Sequence, residues 1–495
     1  MDANEELLDA DAIAEPGRPW ARWACLGASL VLAAALVSQL RPVLRLLRGE
    51  ADLTGRRLYV PTHAVDRETL EGLDLARVHA ELLTQWVVIA ARRQRGRAAD
   101  EDEAAAFAEL VEAIAPDPNL LELATALREV VREGLGTDPE RALYLTWAWS
   151  RYLETHEQPW LLHGHVHSTR HGAMFGVAAY VVVDEAVVAV GVRDQRVRAV
   201  RRVDGINLRE GFLGATTRDD PVAIVSMDRV EELATRELWP LLGPAADPTA
   251  SRSAFADAIR TEVTRALGHT HASALERTAW ARAALLETID QIHARAVCGS
   301  RFRIHLVPRV GFSDERLERL RHFAASSRSR CPSITPLEVD RLTELSQALH
   351  DGGPALERAL VELTQWAAEM VGVHEARHLA DAESGADFEG GVPCPGCPSA
   401  TPPATRNELS GYLAALAWSG APATTLYQAC RATSLDPFGP HVEAMALIEA
   451  HSGVPCTAPP PSDLTDRARA LERTLLGRSD PIAVIHSFSS LAASP

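Results

Sequence analysis

The stretch from Glu362 to Trp418 constrains this chain more than any other. Between Leu363 and His378, apolar residues and histidines recur at steps of three and four: Leu363, Trp366, Ala367, Met370, Val371, His374 and His378. That period predicts a helix, and residues four apart on a helix lie one turn above each other on one face. The imidazoles of His374 and His378 therefore point the same way and can share one metal ion. Glu375, beside the first histidine, reaches the open side of such an ion without ligating it, where its carboxylate can take a proton from water. Zinc suits this spacing better than other biological metals.

Catalytic zinc keeps three protein ligands and one open position. A Gly/Pro/Ser-rich insertion at 382–405 separates the first helix from a second helical segment. That segment opens with Asn407-Glu408-Leu409-Ser410-Gly411-Tyr412 and runs on through Leu413, Leu416 and Ala417. Glu408, 30 residues after His378, is the candidate third ligand. Tyr412, Tyr427 and His441 are the candidate donors to a developing oxyanion. Asp381, about one turn after His378, can orient an imidazole or simply carry charge at a helix end. The bland reading of the same residues is a solvated helix face, with Glu408 as a first-turn acid favoured by the helix dipole.

His374-Glu375-x-x-His378 followed by Asn407-Glu408 resembles the gluzincin class of zinc metallopeptidases over roughly residues 355–430. The resemblance implies Zn2+ as cofactor, with His374, His378 and Glu408 as ligands. It also implies Glu375 as general base and a peptide or protein as substrate. The edge strand that holds the substrate in that class has no clear counterpart here. Arg301 to Val307, with alternating apolar positions, is the candidate for it.

At 495 residues the chain is long enough for two or three domains. All 50 basic residues are arginine, against 67 acidic ones, for a net charge of −17. A nucleic-acid partner is excluded on that balance, because it needs a basic surface to neutralise phosphates.

Residues 1–22 read as an acidic tail. Trp23 to Leu40 is an uncharged run of 18 residues, and it predicts a single-pass transmembrane anchor. Arg41, Arg45 and Arg48 after the run outnumber Arg18 and Arg22 before it, which favours a cytoplasmic body. The even number of cysteines beyond Cys25 favours an exported one, so the side is open. Residues 50–160 read as a helical region, 161–243 as a small β-rich region, and 254–495 as a helical metallopeptidase-like domain.

The expected class is thus α+β and mostly helical. It combines an N-terminal transmembrane helix, a small antiparallel sheet mid-chain and a helical zincin-like C-terminal domain. His163, His165 and His167, with His171 nearby, read as an exposed strand edge or a second metal site. Cys394, Cys397, Cys430 and Cys456 suit disulfides, a structural zinc or free thiols. The functional expectation is a membrane-anchored zinc hydrolase acting on peptides. Its alternative is a non-enzymatic membrane-tethered scaffold or partner-binding protein with an incidental or structural metal site.

Overall fold

Proline marks where many helices of this chain begin. Pro139, Pro336, Pro403 and Pro440 each stand in the first turn of a helix. There the missing amide hydrogen costs nothing and the fixed φ suits the helix. The helix at Pro336–His350 adds a full capping box, with Thr335 Oγ1 accepting from the Glu338 amide and Glu338 Oε2 accepting from the Thr335 amide.

The computed structural model describes residues 58–133, 138–169, 172–204, 212–216, 222–243, 254–294, 307–326, 334–384, 391–435 and 439–489. The chain divides into two compact units, Met1–Thr62 and His63–Pro495, and the described helices and strands all belong to the second. That unit is mostly helical with a curled sheet.

After short helices at Arg67–Glu71 and Leu75–Arg77 come α1 (Thr84–Gln94, entered through a π-helical turn), α2 (Asp100–Ile114), α3 (Pro118–Glu133) and α4 (Pro139–Thr155). The sheet comes next, with β1 (Trp160–Thr169), β2 (Gly172–Val190), β3 (Arg193–Arg202), β4 (Gly214–Thr216) and β5 (Ala223–Ser226). A helical stretch begins with α5 (Met227–Glu232), which continues into a π-helical turn at Leu233–Leu238. Then come α6 (Ala256–Ala294), α7 (Asp314–Ser326), α8 (Pro336–His350) and α9 (Gly353–Glu383). The chain goes on with α10 (Pro403–Trp418), α11 (Pro422–Leu435), α12 (Pro440–Ser452), α13 (Leu464–Leu475) and β6 (Ile482–His486).

The sheet has six strands in the order β1-β2-β3-β5-β4, and β6 pairs with the far half of β2. The pair β3–β5 is parallel, and the other pairings are antiparallel. Within the expected β-rich region, the β-branched runs Val177–Val183 and Ala186–Val192 belong mainly to the single 19-residue strand β2. A register shift falls between Val182 and Asp184 in that strand, and Asp184-Glu185, with the composition of a turn, pairs on with Ala199 and Arg198. A bulge of this kind bends a strand and raises its twist, which curls the sheet.

Helix α9 lies across β3, β5 and β4. Val197, Ala223 and Val225 from the sheet share one buried cluster with Leu363, Ala367 and Val371 from α9 and with Leu409 and Leu413 from α10.

Two expectations are corrected. No helix among the described residues is long and apolar enough to cross a membrane. The N-terminal transmembrane helix and the single-pass membrane location are therefore unsupported, and with them the membrane as a partner. The run Trp23–Leu40 that prompted them lies outside the described residues. The longest helices among the described residues, α9 and α6 (the latter kinked at Gly268), carry Arg, Glu and Asp along their length and bury apolar faces against other elements, as core-packing helices do.

The second correction concerns the small antiparallel sheet and the separate helical zincin-like domain. The sheet is mixed and recruits its sixth strand from the C-terminal end of the chain. One hydrophobic core then runs through strands and helices alike. Strand pairing over a sequence separation this long leaves no local signal, which is why the reading by segments missed it.

The candidate edge strand at Arg301–Val307 lies outside the described residues except for Val307, and His171 and the cysteines Cys25, Cys298 and Cys331 lie outside as well. His163 and His165 stand on β1 with their rings 6.4 Å apart.

Cys394 pairs with Cys397 and Cys430 with Cys456. The second bond ties α11 to the segment after α12 and closes a loop of 26 residues. On chain-entropy grounds it is worth about 3.5 kcal/mol, against about 2 kcal/mol for the short Cys394–Cys397 ring. Denaturant melts of Cys430→Ser/Cys456→Ser and of Cys394→Ser/Cys397→Ser are expected to reproduce that order. Equal losses would mean that strain or local contacts, not loop closure, set the stabilisation.

Candidate metal centre

Helix α9 brings His374 and His378 together as the four-residue spacing requires. Their ring centroids are 4.6 Å apart and their Nε2 atoms 2.9 Å apart. The third group comes from α10: Glu408 Oε2 stands 3.5 Å from His374 Nε2 and 4.0 Å from His378 Nε2. One ligand atom from each of the three residues lies within 4.8 Å of the others, so His374, His378 and Glu408 can hold one metal ion.

The donor set fits a divalent cation on a further observation. Glu408 Oε2 is buried, with imidazole nitrogens of His441, His374 and His378 at 3.2, 3.5 and 4.0 Å but no well-aligned hydrogen bond from any of them. A buried carboxylate oxygen left this way is costly unless something positive meets it. Two imidazoles and one carboxylate form the kind of mixed set that zinc and its neighbours accept.

Close helix packing makes the arrangement possible. A Cβ at Gly411 on α10 would come within 2.6 Å of His374 Cε1 and 2.8 Å of its Nε2. Only glycine lets α10 approach the imidazole this closely, and so carries Glu408 to within reach. A glycine inside an otherwise apolar helix is the sequence signal for such an approach.

Glu375 points to the other side of the histidine pair. Its Oε2 accepts a hydrogen bond from Thr216 Oγ1 at 2.9 Å, and Thr216 lies on β4. A Cβ on Gly214, also in β4, would lie 2.5–2.8 Å from the Glu375 side chain. The terminal strand of the sheet therefore passes directly over this carboxylate. Burial, reinforced by the charge of Glu408, pushes the Glu375 carboxyl up to about 7, so it can gain and lose a proton near neutrality. Gly214 and Thr216 escaped the sequence reading because a strand of three residues is too short to show alternation.

Tyr412 and His441 complete the surroundings. The Tyr412 hydroxyl is 3.0 Å from His441 Nδ1, and its ring meets the His374 ring edge-on at 5.0 Å. His441, in the first turn of α12, places Nδ1 3.2 Å from Glu408 Oε2. Burial and the nearby Glu408 charge raise the Tyr412 phenol further above its ordinary range, keeping it a neutral donor.

The other two residues singled out in the sequence stand elsewhere. Tyr427 packs against Phe255, with ring centroids 5.8 Å apart, and is partly buried beside Arg431. Asp381 directs its oxygens to Ser410 Oγ at 2.7 Å and Arg478 Nη2 at 2.6 Å.

A cleft of about 160 Å³ opens beside His374, Glu375, Tyr412 and His441. Leu233, Met370 and Val371 contribute apolar wall, while Arg229 with Glu232 and Arg431 with Glu237 place ion pairs along it.

The protein groups alone set the proton balance of the ligands. Burial and the facing charge of His374 lower the His378 imidazole to about 4, so it is neutral and ready to ligate. Burial works against Glu408 ionising, but the imidazoles of His374 and His441 beside it outweigh that cost and hold the carboxyl well below its usual range. Burial would also lower His374, yet Glu408 and Glu375 outweigh it and raise the imidazole above its ordinary value.

Ligation needs the neutral imidazole, so a bound cation must displace that proton. Below the raised pKa of His374, affinity for a divalent cation is expected to fall about tenfold per pH unit, and above it to level off. Competition titrations across the neutral range measure this, and an affinity independent of pH would remove His374 from the ligand set.

No family model, curated protein or solved structure matches this chain. Its function has to be read from the site itself.

Proposed function

We propose that this chain is a zinc-dependent hydrolase acting on peptide bonds. Zn2+ is held by His374, His378 and Glu408, and Glu375 is the general base. One observation carries the reading: three ligand atoms converge, one of them the buried Glu408 Oε2 that makes no well-aligned hydrogen bond, with the carboxylate of Glu375 beside them at the wall of a cleft. The likeness of His374-Glu375-x-x-His378 and Asn407-Glu408 to gluzincins supports the same assignment.

When bound, zinc supplies a Lewis acid that acidifies water and polarises a carbonyl. The remaining steps fall to the protein. Glu375 takes the proton from the attacking water and passes it to the leaving amine, a task suited to a carboxyl titrating near neutrality. Thr216 fixes the carboxylate by holding Oε2, so the base meets the water in one orientation. Tyr412 and His441 stand against His374 and Glu408 and can donate hydrogen bonds there. They are assigned to the negative charge that develops on the carbonyl oxygen.

Strand β4 favours a peptide as substrate. It is the terminal strand of the sheet and crosses directly over Glu375. An extended peptide laid along such an edge gains main-chain hydrogen bonds and presents its carbonyls in register to the catalytic groups.

The test is elemental analysis of the purified protein, then incubation with a mixed peptide library and mass spectrometry of the products. About one zinc per chain and metal-dependent cleavage are expected. Stoichiometric metal with no cleavage of any peptide would exclude the peptidase reading. A protein that takes up no zinc after metal-replete purification would exclude the enzyme.

A further inference from the structure

We infer that Arg377, Asp381, Ser410 and Arg478 form a buried bracket that sets the spacing of the two ligand-bearing helices, with Arg478 as its decisive positioning residue. The bracket matters to function only if His374, His378 and Glu408 bind a metal, as proposed, because its role is to hold those ligands at the right distance.

Asp381 comes three residues after His378 on α9, and Ser410 two residues after Glu408 on α10. Each ligand helix thus contributes one bracket residue within a turn of its own ligand. Ser410 Oγ donates to Asp381 Oδ2 at 2.7 Å, a direct bond between the helices. Two guanidinium groups close round this bond. Arg377 Nε donates to Ser410 Oγ at 3.0 Å. Arg478 Nη2 donates to Asp381 Oδ1 at 2.6 Å and to Ser410 Oγ at 3.0 Å.

Arg377 is completely buried and continues outwards. Its Nη1 donates to Asp480 Oδ2 at 3.1 Å, and its Nη2 faces Glu472 Oε1 at 3.7 Å. Trp418, the last residue of α10, donates through Nε1 to Glu472 Oε2 at 3.0 Å.

Such a network costs desolvation that an apolar interface avoids. What it offers instead is one geometry, fixed by direct bonds between named atoms. A metal centre assembled from two helices needs that, because ligand distances tolerate only a few tenths of an ångström.

Arg478 reaches the bracket from beyond the end of α13, and the chain there is itself anchored. The Gly396 amide donates to Leu475 O at 3.0 Å. Pro395 closes on Gly477, where a Cβ would stand 3.1 Å from its Cγ. A Cβ on Gly396 would come within 2.2 Å of Thr474 O, so this contact demands glycine. The Cys394-Pro-Gly-Cys397 turn, closed by its disulfide, therefore fixes the segment from which Arg478 extends. Both bonds of Arg478 come from the single atom Nη2, so one ammonium group can replace it.

The experiment titrates the full-length protein with Co2+, whose visible absorption reports the number and arrangement of its ligands. Ser410→Ala and Arg478→Gln are expected to fold and to bind Co2+ about 10- to 100-fold more weakly, with a shifted spectrum. Arg478→Lys is expected to recover most of the affinity and the wild-type spectrum. Wild-type affinity and spectrum in both loss variants, with only a lowered melting temperature, would show that the bracket merely packs helices and would overturn the inference. Should Arg478→Gln not fold, Ser410→Ala, which removes a single hydroxyl, decides alone. A wild type that takes up no Co2+ ends the metal reading itself, so the two failures are told apart.

Discussion

Glu375→Gln is expected to keep the metal and lose about 10²- to 10⁴-fold in hydrolysis, the usual contribution of a positioned acid–base group. The substitution leaves shape and volume nearly unchanged. Gln can still accept from Thr216 Oγ1, which reaches Glu375 Oε2 at 2.9 Å in the native chain, so β4 should stay in place over the side chain. What is lost is a group able to hold and release a proton near pH 7, the position that burial gives this carboxyl. The measurement is peptide cleavage by mass spectrometry, alongside metal content and melting temperature for the same preparation. Full hydrolysis by the variant would strip Glu375 of the base role. Thr216→Val probes the same assignment more gently, because it removes only the bond that orients the base. A smaller fall in kcat at unchanged metal content is expected there.

Glu408→Ala is expected to weaken metal binding by more than the roughly 10- to 100-fold typical of residues that only support a ligand. Among the described residues, the buried Oε2 of Glu408 is the anionic oxygen that faces both imidazoles. Without it two neutral histidines remain, and catalytic zinc rarely makes do with two protein ligands. Elemental analysis should then find the metal gone, while the fold survives because Leu409 and Leu413 still pack in the core. Metal retained at the wild-type level would mean that another group, His441 being the nearest, completes the set. His441→Ala paired with Glu408→Ala distinguishes the two arrangements.

The helix of the histidines was legible in the sequence because it is local. Steps of three and four from Leu363 to His378 predict both the helix and the shared face of the imidazoles. Glu408 was legible more weakly, as an acid near the start of a second helix. Asp381 was noticed for its distance along the helix from His378, but its oxygens are taken up by Ser410 and Arg478. Spacing along one helix says where a side chain starts and not which neighbour from another helix will claim it. Tyr427 shows the same limit, since it packs against Phe255.

The sheet shows where reading by segments fails. Asp184-Glu185 has the composition of a turn, yet it pairs with Ala199 and Arg198 of β3 just after a register shift in β2. Strand β6 joins the same sheet from the far end of the chain. An uncharged run such as Trp23–Leu40 has a length and hydropathy suited to a membrane span. The described helices solve a different problem, burying one face against a core while keeping charges on the other.

By itself, then, the sequence determined that two imidazoles and a neighbouring carboxylate share a helix, because helical geometry converts a spacing of four into a common face. Only the tertiary structure decided the rest. It decided that Glu408 stands within reach of both imidazoles, that Gly411 lets its helix come near enough, that β4 covers Glu375, and that Arg478 bonds to both of the helices carrying them. Each of these is a contact between segments far apart in the chain. Such contacts arise from how apolar faces pack and how buried polar groups find partners, and no local pattern of residues encodes them.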